Sequence, residues 1–127
     1  MSPTPKEKPD GELAIRVIAM PANTNPNGDV FGGWVVSQMD LAAMVFAKKH
    51  TKNRVATIAI DAMTFIAPVH VGDALCCYGE VIKTGRSSVT IRIETWAIGP
   101  NDEVRRQVTE GIFTYVSIDE QGKSTPL

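Results

Sequence analysis

Strong charge of either sign is missing from this 127-residue sequence. Thirteen Lys and Arg stand against fourteen Asp and Glu, a formal net charge of −1 at pH 7. That balance gives no basic stripe of the kind that grips a nucleic-acid backbone, although a local patch can still hold a phosphorylated ligand. Histidine and cysteine are scarce, with two of each. No CxxC pair and no metal-ligand spacing occurs, so no metal site is expected. Cys76 and Cys77 are adjacent on an expected strand and point to opposite faces, which argues against a disulfide and suits small apolar residues in a reducing cytoplasm. Charged residues interrupt every apolar stretch well before the ~20 residues of a membrane span. Residues 1–11 are polar and proline-bearing, without the apolar segment of a signal peptide, and read as a flexible tail. GxSxG, GxxxxGK[ST] and GxGxxG are all absent, which leaves serine-hydrolase and mononucleotide-hydrolase readings without support.

What is present suits one soluble domain. Hydrophobic residues make up 43% and charged residues 21%, an ordinary globular balance. Alternation of Leu13, Ile15 and Val17 with Arg16 predicts a strand over residues 12–20. Residues 21–29 then gather Pro, Asn, Gly and Asp into a loop. The spacing predicts a helix over residues 32–49, ending in the cations Lys48, Lys49 and His50. Its middle is apolar nearly all round, which requires burial. Strands follow at 55–66, 74–83, 88–98 and 104–118, the turns between them marked by Pro68, Gly72-Asp73, Gly85-Arg86 and Gly99-Pro100. In 88–98, Val89, Ile91 and Ile93 alternate with Thr90, Arg92 and Glu94, predicting a half-buried strand. In 104–118, Val104, Val108, Ile112, Val116 and Ile118 form one phase against Arg105, Gln107, Thr109 and Ser117. Short connections suggest an antiparallel meander. The fold class is α+β, a five-stranded antiparallel sheet curled round one long helix, with the domain at 12–120 and a C-terminal tail at 121–127. An outer sheet face bearing Trp96 and Ile98 points to association with other copies.

Three groups of residues could carry chemistry. Asp40 is an ionisable group about two turns inside an apolar helix, too deep to be a cap. It either pairs with an arginine from a strand, or is solvated by a groove, or serves as a catalytic carboxylate. Gly32 and Gly33 start the helix, where paired glycines cost stability. They suit either N–H groups that approach a ligand oxygen or tight packing against a strand. Asp29 either caps the helix, the simpler role, or orients substrate or water. Gly85-Arg86-Ser87-Ser88, next to Lys83, is a strand turn able to offer N–H groups, hydroxyls and a guanidinium to phosphate.

The runs Ala19-Met20-Pro21, Thr24-Asn25-Pro26-Asn27-Gly28-Asp29-Val30-Phe31-Gly32-Gly33-Trp34 and Ser37-Gln38-Met39-Asp40 resemble the signature of YciA-type acyl-CoA thioesterases of the hotdog superfamily. The likeness continues through Met63, Phe65, Pro68, Val71-Gly72-Asp73, Cys76-Cys77-Tyr78 and residues 81–88, and covers most of residues 13–118. The resemblance implies a hotdog fold, hydrolysis of acyl-CoA to free acid and CoA, and active sites between protomers of a hexamer built as a trimer of dimers. It implies a catalytic Asp40, as general base or nucleophile, with oxyanion-binding N–H groups at Gly32 and Gly33 and with Asn25 and Asp29 in the same signature. It also implies a CoA phosphate site at Lys83, Gly85, Arg86, Ser87 and Ser88. No cofactor is implied beyond the CoA of the substrate. The alternatives are a hotdog protein that binds CoA or acyl chains without turnover, and a hydratase relying on a histidine. His50 and His70 stand in the helix end and a turn, neither beside Asp40 in the expected layout.

Overall fold

The computed structural model describes residues 6–127. In chain order the elements are β1 (Glu12–Ile18), a 3₁₀ turn (Pro21–Asn23), α1 (Gly32–Ala47), β2 (Arg54–Phe65), β3 (Ala74–Thr84), β4 (Ser88–Ile98) and β5 (Arg106–Ile118). The strands form one antiparallel sheet in the order β1-β3-β4-β5-β2. Its inner face packs on α1, with Leu75, Cys77, Ile91, Ile93 and Phe113 meeting Val35, Met39, Ala42, Ala43 and Phe46. Close approach of helix to sheet depends on Gly79, since a Cβ there would lie 2.6 Å from the Phe46 ring and 2.6 Å from Ile93. Among the described residues no helix is long and apolar enough to cross a membrane.

The meander holds only for β3-β4-β5. Strand β2 pairs with β5 at the far edge instead of forming a hairpin with β3. Residues 66–73 therefore cross the end of the sheet, where Ile66 and Ala67 donate to the Val108 carbonyl and Gly72 donates to Ala19. Arg106 fastens this crossing by donating to the Pro68 carbonyl at 3.1 Å and to the Asp73 carboxylate. A connection of eight residues that includes Pro68 is too long and too stiff to act as a two-residue hairpin turn.

The expected single phase of residues 104–118 is also corrected. Thr109, Gly111, Phe113, Tyr115 and Ser117 are the buried set, while Ile112, Val116 and Ile118 are half-buried and Val104 is exposed. The pairing runs Thr95↔Thr109 and then Trp96↔Gln107, which leaves Val108 as the extra residue of a bulge. One alternation cannot pass through a bulge unchanged. Beyond it, the two aromatic side chains take the inner face.

Nor is β4 half-buried. It is the central strand, and its outward residues Thr90, Glu94 and Trp96 are buried as well. Trp96, expected on an exposed outer face, is 1% accessible, with Arg105 over its ring at 5.8 Å. Glu94 is equally buried and is held by Arg92 at 3.3 Å, by Lys6, and by the Asp10 N–H at 2.6 Å. Of the expected N-terminal tail, residues 1–5 lie outside the described residues. At the other end, Thr125 donates to the Ser117 carbonyl at 2.9 Å and Leu127 to that of Arg86 at 3.0 Å.

Helix α1 is not buried all round within the protomer. One sheet covers one side, and Leu41 (50% accessible), Met44 (40%) and Val45 (41%) remain open. Strand β2 presents a free edge beside Ile58, which is 60% accessible. An open edge and an open apolar helix face on one protomer call for a covering partner. Both cysteines are free and buried, and burial pushes the Cys77 thiol up to about 11, so it stays an inert thiol facing Thr95 at 3.6 Å.

Candidate active site

Asp40 lies at the border between the buried and open faces of α1. No arginine pairs with it among the described residues. Its partners are two hydroxyls from neighbouring strands. Thr57 of β2 donates to Oδ1 at 2.8 Å, and Tyr115 of β5 donates to the same Oδ1 and to the Asp40 carbonyl. The two strand residues are cross-strand partners, so one row of the sheet presents both hydroxyls to the helix. Burial, and then the bond to the Asp40 carboxylate, push the Tyr115 hydroxyl well above its ordinary value of 10.0, so it remains a donor. Both bonds converge on Oδ1. Oδ2 has no hydrogen-bond partner among the described residues and is left to act on something brought to it.

Two turns upstream, α1 begins with Phe31 as its N-cap residue and without a side-chain cap. Trp34 donates to the Phe31 carbonyl at 3.1 Å. The N–H groups of Gly32 and Gly33 have no acceptor among the described residues, as the first turn of a helix dictates when no cap is supplied. Both glycines are exposed, so the donors are open to a ligand. The capping expected of Asp29 is overturned. Its backbone is pinned to Asn25, whose N–H donates to the Asp29 carbonyl at 2.7 Å, and its side chain sits two residues ahead of the N-cap. Asn25 shapes this loop from within, its Oδ1 accepting the N–H groups of Asn27 at 2.9 Å and Asp29 at 3.1 Å. Neither residue touches Asp40.

The Gly85 to Ser88 turn joins β3 to β4 and is closed by Gly85 N–H donating to the Ser88 carbonyl at 2.8 Å. That bond occupies the Gly85 N–H, and the Ser87 hydroxyl pairs with that of Ser124 at 3.0 Å. The cations Lys83 and Arg86 are exposed and in no ion pair among the described residues, which leaves both open to an anionic ligand. Val89, next to the turn, is the cross-strand partner of Tyr115. Arg86 thus stands about 10 Å along the strand from the row that holds Asp40. The structure therefore places Asp40 and the basic turn at one end of the sheet and the open glycines at the other end of α1.

His50 and His70 are exposed and are not hydrogen-bond partners of Asp40. The described residues contain no group of three His, Cys, Asp or Glu able to hold a metal ion. Thr57 and Tyr115 are the functional residues that sequence reasoning missed. Tyr115 sits in the phase of Phe113, and only the strand register reveals that both hydroxyls face the helix.

Comparison with known proteins returns the same family from three directions. The family model described as the thioesterase superfamily matches residues 27–103. The acyl-CoA thioester hydrolase YciA of Salmonella typhimurium is 47% identical over 122 residues, 94% of this chain and 92% of its own. Among solved structures, a hexameric thioesterase from Yersinia pestis is 50% identical with a TM-score of 0.89, covering 94% of this chain and 98% of that one. A hexameric broad-specificity acyl-coenzyme A thioesterase is 43% identical with a TM-score of 0.88, covering 94% and 82%.

Proposed function

The chain belongs to the thioesterase superfamily, and from that premise we propose that it hydrolyses acyl-CoA thioesters to a free carboxylic acid and coenzyme A at a site shared by two protomers. The observation that carries this reading is Asp40, whose Oδ1 is fixed by two hydroxyls while Oδ2 is free. A carboxylate so held is pre-oriented to take a proton from water or to attack the thioester carbon, and both routes end in cleavage of the acyl–sulfur bond. Water supplies the oxygen of the product acid, and the CoA sulfur leaves with the bonding pair. Negative charge that develops on the carbonyl oxygen needs donors already in place, and the open N–H groups of Gly32 and Gly33 are such donors.

Geometry supports two protomers in one site. Gly32 and Asp40 are eight residues apart, about 12 Å along a helix. Helical N–H groups point toward the N-terminus, away from Asp40, so an oxygen held there lies about 3 Å further off. One thioester cannot span that separation. A second copy with its helix antiparallel brings its Gly32 to this Asp40, and the open β2 edge with Leu41, Met44 and Val45 offers the surface for it. Relatives described as hexameric support further assembly, which we propose is a trimer of such dimers.

A binder without turnover would have no use for a free carboxylate oxygen in the groove. The test is release of thiol from purified protein over a panel of acyl-CoA esters. Turnover is expected, and none on any ester would leave the binding alternative. Arg86 is proposed to hold a CoA phosphate with Lys83. Arg86→Ala should raise KM by several-fold to about tenfold, the size of a charge-assisted contact discounted for solvent screening, with kcat little changed. Unaltered KM on full-length CoA esters would remove Arg86 from the site.

A further inference from the structure

We propose that residues 119–127 brace the Gly85 to Ser88 turn from behind, and that Asn53 is the positioning residue that locks this brace and so tightens the hold of Arg86 on its phosphate. This rests on the thioesterase reading above, with Arg86 as a CoA phosphate ligand, and adds the residues that act through Arg86. An arginine on a loose turn binds weakly, because the turn must be ordered along with the long side chain when the anion arrives. Here the turn is held by its carbonyls. The Leu127 N–H donates to the Arg86 carbonyl at 3.0 Å, and the Ser117 N–H donates to the Ser87 carbonyl at 2.7 Å. The Ser124 and Ser87 hydroxyls, 3.0 Å apart, add a third tie. Only the backbone of Arg86 is fixed in this way, and its side chain stays exposed.

Local turn chemistry brings the chain back to this place. After β5, the Asp119 carboxylate accepts the N–H groups of Gln121 at 2.9 Å and Lys123 at 2.9 Å, and Gly122 reverses the chain at φ +82, where glycine is favoured. The returning segment then runs beside the end of β5. Ile118 bridges to Ser124, and the Thr125 N–H donates to the Ser117 carbonyl at 2.9 Å. Asn53 completes the lock, its Nδ2 donating to the Pro126 carbonyl at 3.0 Å and to the Ser117 hydroxyl at 3.0 Å. The Pro126 carbonyl and the Leu127 N–H belong to one planar peptide group. Asn53 therefore holds one side of the unit whose other side holds Arg86. Asn53 is itself fixed, since its N–H donates to the Thr51 hydroxyl at 3.1 Å and its carbonyl accepts from Lys48 Nζ at 2.6 Å. Ser124, Thr125 and Pro126 also line, with Arg86 and Ser87, a cavity of about 80 Å³, so the brace is part of the wall beside the guanidinium.

The experiment measures kcat and KM by thiol release on an acyl-CoA ester and on the matching acyl-N-acetylcysteamine thioester, which carries no phosphate. Native protein is compared with Asn53→Ala, Leu127→Pro and Arg86→Ala. Asn53→Ala removes the donor to the Pro126 carbonyl, and Leu127→Pro removes the N–H that reaches Arg86. In both, KM on the CoA ester should rise about two- to tenfold, the range of one lost hydrogen bond, with kcat kept. KM on the short thioester should not move. Adding Arg86→Ala to either variant should raise KM no further than Arg86→Ala alone, since residues that act through one contact are not additive. Leu127 lies outside every strand and helix, so its variant gives the answer even if Asn53→Ala fails to fold. Equal rises of KM on the two esters would assign the brace to folding and overturn the proposal. Unaltered KM in both variants, beside a raised KM in Arg86→Ala, would overturn it as well. Unaltered KM in Arg86→Ala would instead overturn the phosphate reading on which it rests.

Discussion

Asp40→Asn should lower kcat at least ~10²-fold, the low end of what general-base catalysis contributes, with little change in KM. The structure makes this substitution unusually clean. Thr57 and Tyr115 both donate to Oδ1, and an amide oxygen accepts both bonds equally well. The amide nitrogen then takes the place of Oδ2, the oxygen without a partner. A donor that can neither accept a proton nor attack carbon replaces the reacting atom. Folding should survive, because size and both hydrogen bonds are kept. No alkaline limb should arise from Tyr115 below its ordinary value of 10.0, since burial and Asp40 hold its hydroxyl protonated beyond that. A purely structural Asp40 predicts the reverse pattern, a lowered melting temperature with kcat preserved.

Gly32→Pro should cost ~10²–10³-fold in kcat, the effect of removing one oxyanion donor. Proline at this position deletes the N–H and leaves the helix intact. Gly32 is the first residue of α1, where proline is favoured, and Phe31 before it is already extended at φ −80 and ψ 147. The added carbons meet the Phe65 ring at 3.3 Å, a contact that the half-open ring can relieve by a small rotation. Gly32→Ala brings the same Cβ but keeps the N–H, and should lose less than about tenfold. Equal losses in the two variants would assign Gly32 to packing and place the donor elsewhere.

Which parts of this were legible in the sequence follows from what each signal measures. The helix bounds, the strand count and the position of Asp40 were readable because periodicity reports one element at a time. Pairing was not. The place of β2 beyond β5 depends on a crossing over the sheet end, and the inner phase of β5 depends on the bulge at Val108. Neither leaves a mark in local alternation. The same limit hid Thr57 and Tyr115, since a hydroxyl becomes an orienting group only once register sets it against a helix. Glu94 and Trp96 read as outward residues and are outward, yet the N-terminal residues and Arg105 cover them. Conversely, the open apolar face of α1 looked like a call for burial, and within one protomer only half of that burial is supplied.

The central claim is that one protomer's Gly32 and its partner's Asp40 hold the same thioester, and mixing two inactive variants tests it most directly. Asp40→Asn and Gly32→Pro chains are coexpressed under different tags, and the mixed assemblies are assayed for thiol release. In a two-fold dimer of one chain of each kind, one site combines an intact Gly32 with an intact Asp40, and the other site is doubly damaged. Random pairing makes half of the dimers mixed, so about one quarter of native activity should return. Mixed assemblies that form but stay as inactive as either parent would contradict the shared site.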